Sequence, residues 1–114
     1  MNKHEAEKSI QRIHKMHSTG DDKEALVEAK KLFDSNFEDT NIRFAVSGIF
    51  IDSGAVMEDI EIVNKGITIF QELLEDSNFS SSEEAVITSK YNISNGFYTR
   101  FQLFKKTRKD WRGL

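Results

Sequence analysis

Apolar residues recur every three to four positions along most of the chain, and no stretch alternates with the period of two that a half-buried strand requires. The pattern predicts five helices. The first covers about Lys3 to His17, with Ala6, Ile10, Ile13 and His17 on one face, and Gly20 ends it. The second opens at Asp21, whose carboxylate can take the free amide hydrogens of a helix start with Glu24 three residues on, and carries Ala25, Leu26, Ala29, Leu32 and Phe33 as its apolar stripe. After the turn DSNFEDT, Thr40 is expected to cap a third helix that buries Ile42, Ala45, Val46, Ile49 and Phe50 and breaks at Gly54. A long fourth helix, about Met57 to Glu75, carries Ile60, Val63, Ile67, Phe70, Leu73 and Leu74. The turn DSNFSSS precedes a fifth helix capped by Ser82, with Glu83 and Glu84 at the positive end of its dipole and Val86, Ile93, Phe97, Phe101 and Phe104 at helical spacing. FAVSGIFI, residues 44–51, has the β-branched and aromatic content of a strand, but it does not alternate and both flanks are helical, so it belongs to the third helix.

Composition narrows the class. With 114 residues there is enough chain for one domain and one modest core, and 38% hydrophobic against 31% charged residues suit a folded helical domain rather than a disordered segment. No cysteine is present, which removes disulfides, thiolate metal sites and thiol catalysis. No apolar run approaches the roughly 20 residues of a membrane span, and the first residues lack the apolar stretch of a signal peptide, so the expectation is a soluble, cytoplasmic protein. Charge is uneven: residues 1–99 carry −8 and residues 100–114 carry +5. The expected organisation is a helical repeat domain over 1–104 and a basic tail over 105–114.

The tetrapeptide Asp-Ser-Asn-Phe occurs at 34–37 and again at 76–79, each time after an apolar pair, Leu32-Phe33 and Leu73-Leu74. Two matches at the same stage of a helix–turn–helix cycle, 42 residues apart, indicate an internal repeat. The cycle resembles the tetratricopeptide repeat. KYNISNGFY sets Lys90, Ile93, Ser94 and Phe97 on that family's W, L, G and Y positions, and RFAVSGIF sets Arg43, Val46, Ser47 and Phe50 there. Ala25, Ala29 and Leu32, and then Gly66, Phe70 and Leu73, resemble the second half of the unit. Each unit lacks the leading Trp, and no proline closes any helix. The resemblance implies an all-α, tetratricopeptide-like stack of antiparallel hairpins, about two and a half units ending in a first helix without its second.

The candidate sites follow. By the resemblance, the first helices of the units present Phe44, Ile51, Tyr91, Asn95 and Tyr98 as a groove for a peptide or protein partner, with ordinary core as the competing reading for Phe44 and Ile51. The fifth helix ends the stack with apolar residues on more than one side, so Phe101, Phe104 and Trp111 are expected to seek a partner surface or a second copy. The family's Lys, Asn and Arg clamp for C-terminal carboxylates would fall on positions that include His14, Ala45, Thr88 and Asn92, of which only Asn92 fits chemically. His14 and His17, three apart, lack the further ligands a structural metal site needs, so no metal or other cofactor is expected. The basic residues from Lys105 to Arg112, with Trp111, could meet nucleic acid, but the acidic body would repel it. No nucleophile motif, phosphate loop or paired carboxylate stands at catalytic spacing, and the expectation is a non-catalytic scaffold or sensor module.

Overall fold

The computed structural model describes residues 2–35 and 38–107. Among them the chain forms six helices and no strand: α1 (Lys3–Ser18), α2 (Asp22–Ser35), α3 (Thr40–Val56), α4 (Ile60–Glu75), α5 (Ser77–Ser80) and α6 (Glu83–Thr107). Residues 44–51 lie within α3. The helix beyond the five expected is α5, a single turn inside the segment read as a loop. Asp76 caps it by accepting from the amides of Asn78 (2.9 Å) and Phe79 (3.2 Å). Of the first Asp-Ser-Asn-Phe copy, Asp34 and Ser35 end α2, and positions 36 and 37 lie outside the described residues.

The two hairpin turns are built alike. At the end of α1 the amide of Gly20 donates to the His17 carbonyl (3.1 Å) and that of Asp21 to the Met16 carbonyl (2.7 Å). At the end of α3 Glu58 donates to Ala55 (3.1 Å) and Asp59 to Gly54 (2.8 Å). This is the paired closure that needs one left-handed residue, and Gly20 (φ 86°) and Glu58 (φ 56°) supply it. The expected break at Gly54 is therefore misplaced by four residues. Gly54 is helical and buried, where an added Cβ would stand 3.0 Å from the Val63 side chain. It permits a close crossing, and Glu58 makes the turn. α4 is thus no longer than α3, 16 residues against 17, and it starts at Ile60 with Asp59, not Met57, at its head. Asp39 likewise takes the capping role expected of Thr40, accepting from the amides of Asn41 (2.9 Å) and Ile42 (3.1 Å).

With Gly20 matched to Glu58, an offset of 38 residues pairs buried positions of the first two hairpins: Ser9 with Ser47, Ile13 with Ile51, Ala25 with Val63, Ala29 with Ile67 and Leu32 with Phe70. From α3 to α6 the offset is 42, which sets Ser47 on Ser89 and Gly54 on Gly96, again all buried. The four extra residues are those of α5. A buried serine thus sits at the same point of α1, α3 and α6. The small residue of the last unit is expected at Ser94, but Ser94 is exposed and the buried one is Ser89.

The core runs between neighbouring helices, with α3 packed on α1, α2 and α4, and α6 on α4 and α3. Phe50, Phe70, Leu32, Leu73, Val46 and Val63 are its largest enclosed apolar side chains, with Ile13 and Ile51. Phe33 meets Phe50 edge-on at 6.1 Å and Phe44 meets Phe70 at 5.7 Å, a geometry that suits the ring quadrupoles. No helix among the described residues is long and apolar enough to cross a membrane.

Candidate docking face

Helix α6 has 25 residues, about 37 Å at 1.5 Å per residue. The Ser82 hydroxyl oxygen accepts from the Ala85 amide (3.3 Å), Glu83 and Glu84 occupy the first turn, and Lys105 and Lys106 the last, each charge matching its end of the dipole. Ser89, Gly96 and Leu103 form its buried row at seven-residue intervals, flanked by half-buried Ala85, Val86, Asn92, Ile93 and Thr99. Gly96 weakens the helix by its flexibility but sets its depth. A Cβ there would lie 2.6 Å from Ile67 Cγ1 and 3.2 Å from Ile51 Cδ1, so the backbone of α6 rests directly on those side chains.

The opposite side carries Glu84, Ile87, Tyr91, Ser94, Tyr98, Phe101 and Lys105, separated by alternating steps of three and four residues. On a helix this spacing makes one slowly winding stripe, here facing away from the core. Ile87 is 61% exposed, Tyr91 72%, Tyr98 65% and Phe101 56%, with Phe97 and Phe104 at one edge, 40% and 43% exposed. The edges of α6 are pinned. Arg100 lies over the Phe97 ring (4.8 Å) and donates to Asn64 Oδ1 on α4 (3.0 Å), and Lys106 pairs with Glu58 of the α3–α4 turn. The Lys105 ammonium stands 5.8 Å from the Phe101 ring centre.

The expected five-residue groove is not assembled. Tyr91, Asn95 and Tyr98 are exposed together on α6. Ile51 is corrected to core: it is 1% exposed because Ser89 and Gly96, lacking bulk, let α6 settle over it. Phe44 is half-buried, held edge-on to Phe70 and covered by Phe79 of α5 at 5.5 Å. Of the residues assigned to an interface, Phe101 and Phe104 are exposed on α6, and Trp111 lies outside the described residues. The division at 104 falls inside α6, which continues to Thr107, and positions 108–114 of the basic tail are likewise outside the described residues. Phe97, Phe101 and Phe104, which share helical spacing with Val86 and Ile93, are exposed, whereas Val86 and Ile93 are half-buried.

A second group of polar side chains joins α1, α2 and α3. Asp22 Oδ1 accepts from the Ser53 hydroxyl (2.8 Å) and lies 2.5 Å from His17 Nδ1, which is 3.2 Å from Ser53 Oγ. A carboxylate only accepts, so Nδ1 carries the proton that faces it. Burial pushes the Asp22 carboxyl up, but the bonds from His17 and Ser53 and the attraction of His17 outweigh it and leave the group below its usual 3.8. Asp52, at the rim of this group, is pushed up, first by loss of water and secondarily by the Asp22 charge, against the pull of His17 and His14. Ser, His and Asp together suggest a nucleophile, but the order is wrong for one. The Ser53 proton goes to the carboxylate, both oxygens crowd the same ring nitrogen, and Ser53 is fully buried. The arrangement ties three helix segments together. No group of three or more His, Asp or Glu among the described residues is placed to hold a metal ion.

Compared with family models, with curated proteins and with solved structures, the chain matches none.

Proposed function

We propose that the chain is a non-catalytic interaction module that docks a helix of a partner protein on the outward stripe of α6. One observation carries the reading: apolar side chains at alternating three- and four-residue steps stand exposed on the side of α6 opposite its buried row. A stripe of that period fits another helix, since a straight peptide strand would meet it only in part. Taking the stack as a tetratricopeptide-like array leads to the same reading. Buried serines recur at one point of α1, α3 and α6, and each of these helices packs as the first member of a hairpin, α6 having no second member among the described residues. In such arrays each repeat buries its apolar face against a neighbour.

The test is a selection of displayed helical peptides for binding to the chain. Binders are expected to carry apolar residues at matching spacing, to lose affinity about tenfold or more on Tyr98→Glu, and to be indifferent to Lys23→Glu on α2. Because the contact is apolar, affinity should change little between low and high salt. Selected helices that bind Tyr98→Glu as well as the parent chain would refute docking at this face.

A further inference from the structure

The outward stripe of α6 is nearly a palindrome. Reading outward from Ser94, Tyr91 and Tyr98 come first, then Ile87 and Phe101, then Glu84 and Lys105. Apolar residues are mirrored by apolar residues, and the terminal charge is mirrored by its opposite. A surface with that symmetry is complementary to itself under a two-fold rotation, the condition an isologous dimer imposes.

We propose that the partner of this face is a second copy of the same chain, with two α6 helices packed antiparallel about Ser94. The proposal rests on the docking reading and narrows its partner. In this pairing Tyr91 of one copy meets Tyr98 of the other, Ile87 meets Phe101, and the acidic first turn at Glu83 and Glu84 comes against Lys105. Ser94 at the dyad lets the two backbones approach. Antiparallel alignment also opposes the two helix dipoles, whereas a parallel pair would bring Glu84 to Glu84 and Lys105 to Lys105.

The area is sufficient. At about 200 Å² per aromatic side chain, the exposed parts of Ile87, Tyr91, Phe97, Tyr98, Phe101 and Phe104 come to roughly 600 Å² per copy. Two copies remove roughly 1,200 Å² from water, the lower bound of a standard specific interface, before any contribution from polar atoms at the rim. Arg100 and Lys106 are engaged with Asn64 and Glu58 of their own chain, which leaves the stripe itself to the second copy.

Sedimentation equilibrium on the full chain from about 1 to about 200 µM tests the proposal. A dimer is expected in that range, and Tyr91→Glu with Tyr98→Glu should weaken it at least about a hundredfold while circular dichroism keeps its helical amplitude. The polarity is tested by charge reversal. Glu83→Lys with Glu84→Lys should weaken self-association about tenfold or more, Lys105→Glu should do the same, and an equimolar mixture of the two variants should associate as the parent does. A parallel pair would not be weakened by either reversal, so an undiminished dimer in both overturns the antiparallel arrangement. A monomer throughout the range overturns the self-partner. If that monomer still binds the selected helices through Tyr98, the docking reading stands and only the identity of the partner falls; if it does not, both fall.

Discussion

The crossing of α3 and α4 fixes the platform on which α6 rests, and a series of glycine-to-alanine substitutions measures how close it is. In the interior of a helix this change stabilises by about 0.8–1 kcal/mol when the new methyl meets nothing. Gly48 is such a place, helical in α3 with no atom within 4 Å of an added Cβ. Gly66 is the opposite. Its Cβ would stand 2.7 Å from the Ser47 carbonyl oxygen, 2.8 Å from Ile51 Cγ1 and 3.2 Å from Phe50 Cβ, where ordinary contact begins near 3.4 Å. The nearest obstacle is backbone, so no side-chain rotation relieves it, and α4 must move off α3 by about 0.6 Å against close packing. Overpacking of this kind costs about 1–3 kcal/mol on top of the propensity gain it cancels. Gly66→Ala is therefore expected to lose about 1–2 kcal/mol and Gly48→Ala to gain up to about 1 kcal/mol. Urea unfolding followed by circular dichroism reads both, with the two midpoints moving in opposite directions at an unchanged slope. Gly54→Ala, whose Cβ meets Val63 Cγ2 at 3.0 Å and Ile62 Cγ2 at 3.2 Å, should fall between them, since side-chain methyls can give a little. If Gly66→Ala proves as stable as Gly48→Ala, the helices are not held at the described distance, and the placement of α6 over Ile51 loses its foundation.

Asp22→Ala should cost about 2–3 kcal/mol near neutral pH, because it strips the fully buried Ser53 hydroxyl of its acceptor as well as removing the His17 contact. The Asp22 carboxyl lies below its usual 3.8, so its stabilisation is complete above that value and is lost as pH falls through the lowered one; the difference between parent and variant, read by urea unfolding, should hold from pH 7 to about pH 5 and shrink below about pH 4. Asp52 has the opposite sign. Its raised value means the charged form disfavours the fold, but the side chain is exposed, so Asp52→Asn should stabilise only slightly at neutral pH and lose that advantage as acid protonates the parent carboxyl. Glu58→Gly should stabilise by up to about 1 kcal/mol in thermal melts, because the left-handed backbone at φ 56° strains a side-chain-bearing residue and the exposed pair with Lys106 contributes little in return.

Where the sequence was legible, local chemistry and tertiary packing agree. The apolar stripes of α1 to α4 are the buried ones, and Ser82 at the head of α6 is where its hydroxyl suggests. Errors arose where one residue type serves two purposes. Gly54 and Gly20 look alike in sequence, yet Gly20 supplies a left-handed turn and Gly54 a close crossing, and the turn equivalent to Gly20 is made by Glu58, a residue with no turn signature. That substitution hid the 38-residue period. In α6 the aromatic residues are expected to face a partner and are exposed, but the face that packs carries no such signal, because it is defined by small residues, Ser89 and Gly96, with Leu103. The steps of three and four from Glu84 to Lys105 were present in the sequence all along, and a search for a second apolar stripe on the same helix would have found them. The meeting of His17, Asp22 and Ser53 had no such signal, since two of the three lie across a turn and the third comes from another hairpin.

The two sides of α6 answer to different physics, and this makes the proposed docking face separable from the fold. The inner side is specified by Gly96, whose enlargement would collide with Ile67 and Ile51, so the stack determines the depth of α6 before anything binds outside. Six large side chains on or beside the outward stripe are 40% or more exposed, and Arg100 holds one edge of the helix to Asn64 of α4. A helix held in this way offers its stripe already ordered, and a partner that docks on it pays little conformational entropy on this side of the contact. Replacing Tyr91 or Tyr98 should therefore alter association with almost no change in unfolding free energy, whereas replacing Gly96 should alter both. A large loss of stability from Tyr98→Ala in a dilute monomer would mean that the ring packs inward, and the separation of the two faces would be wrong.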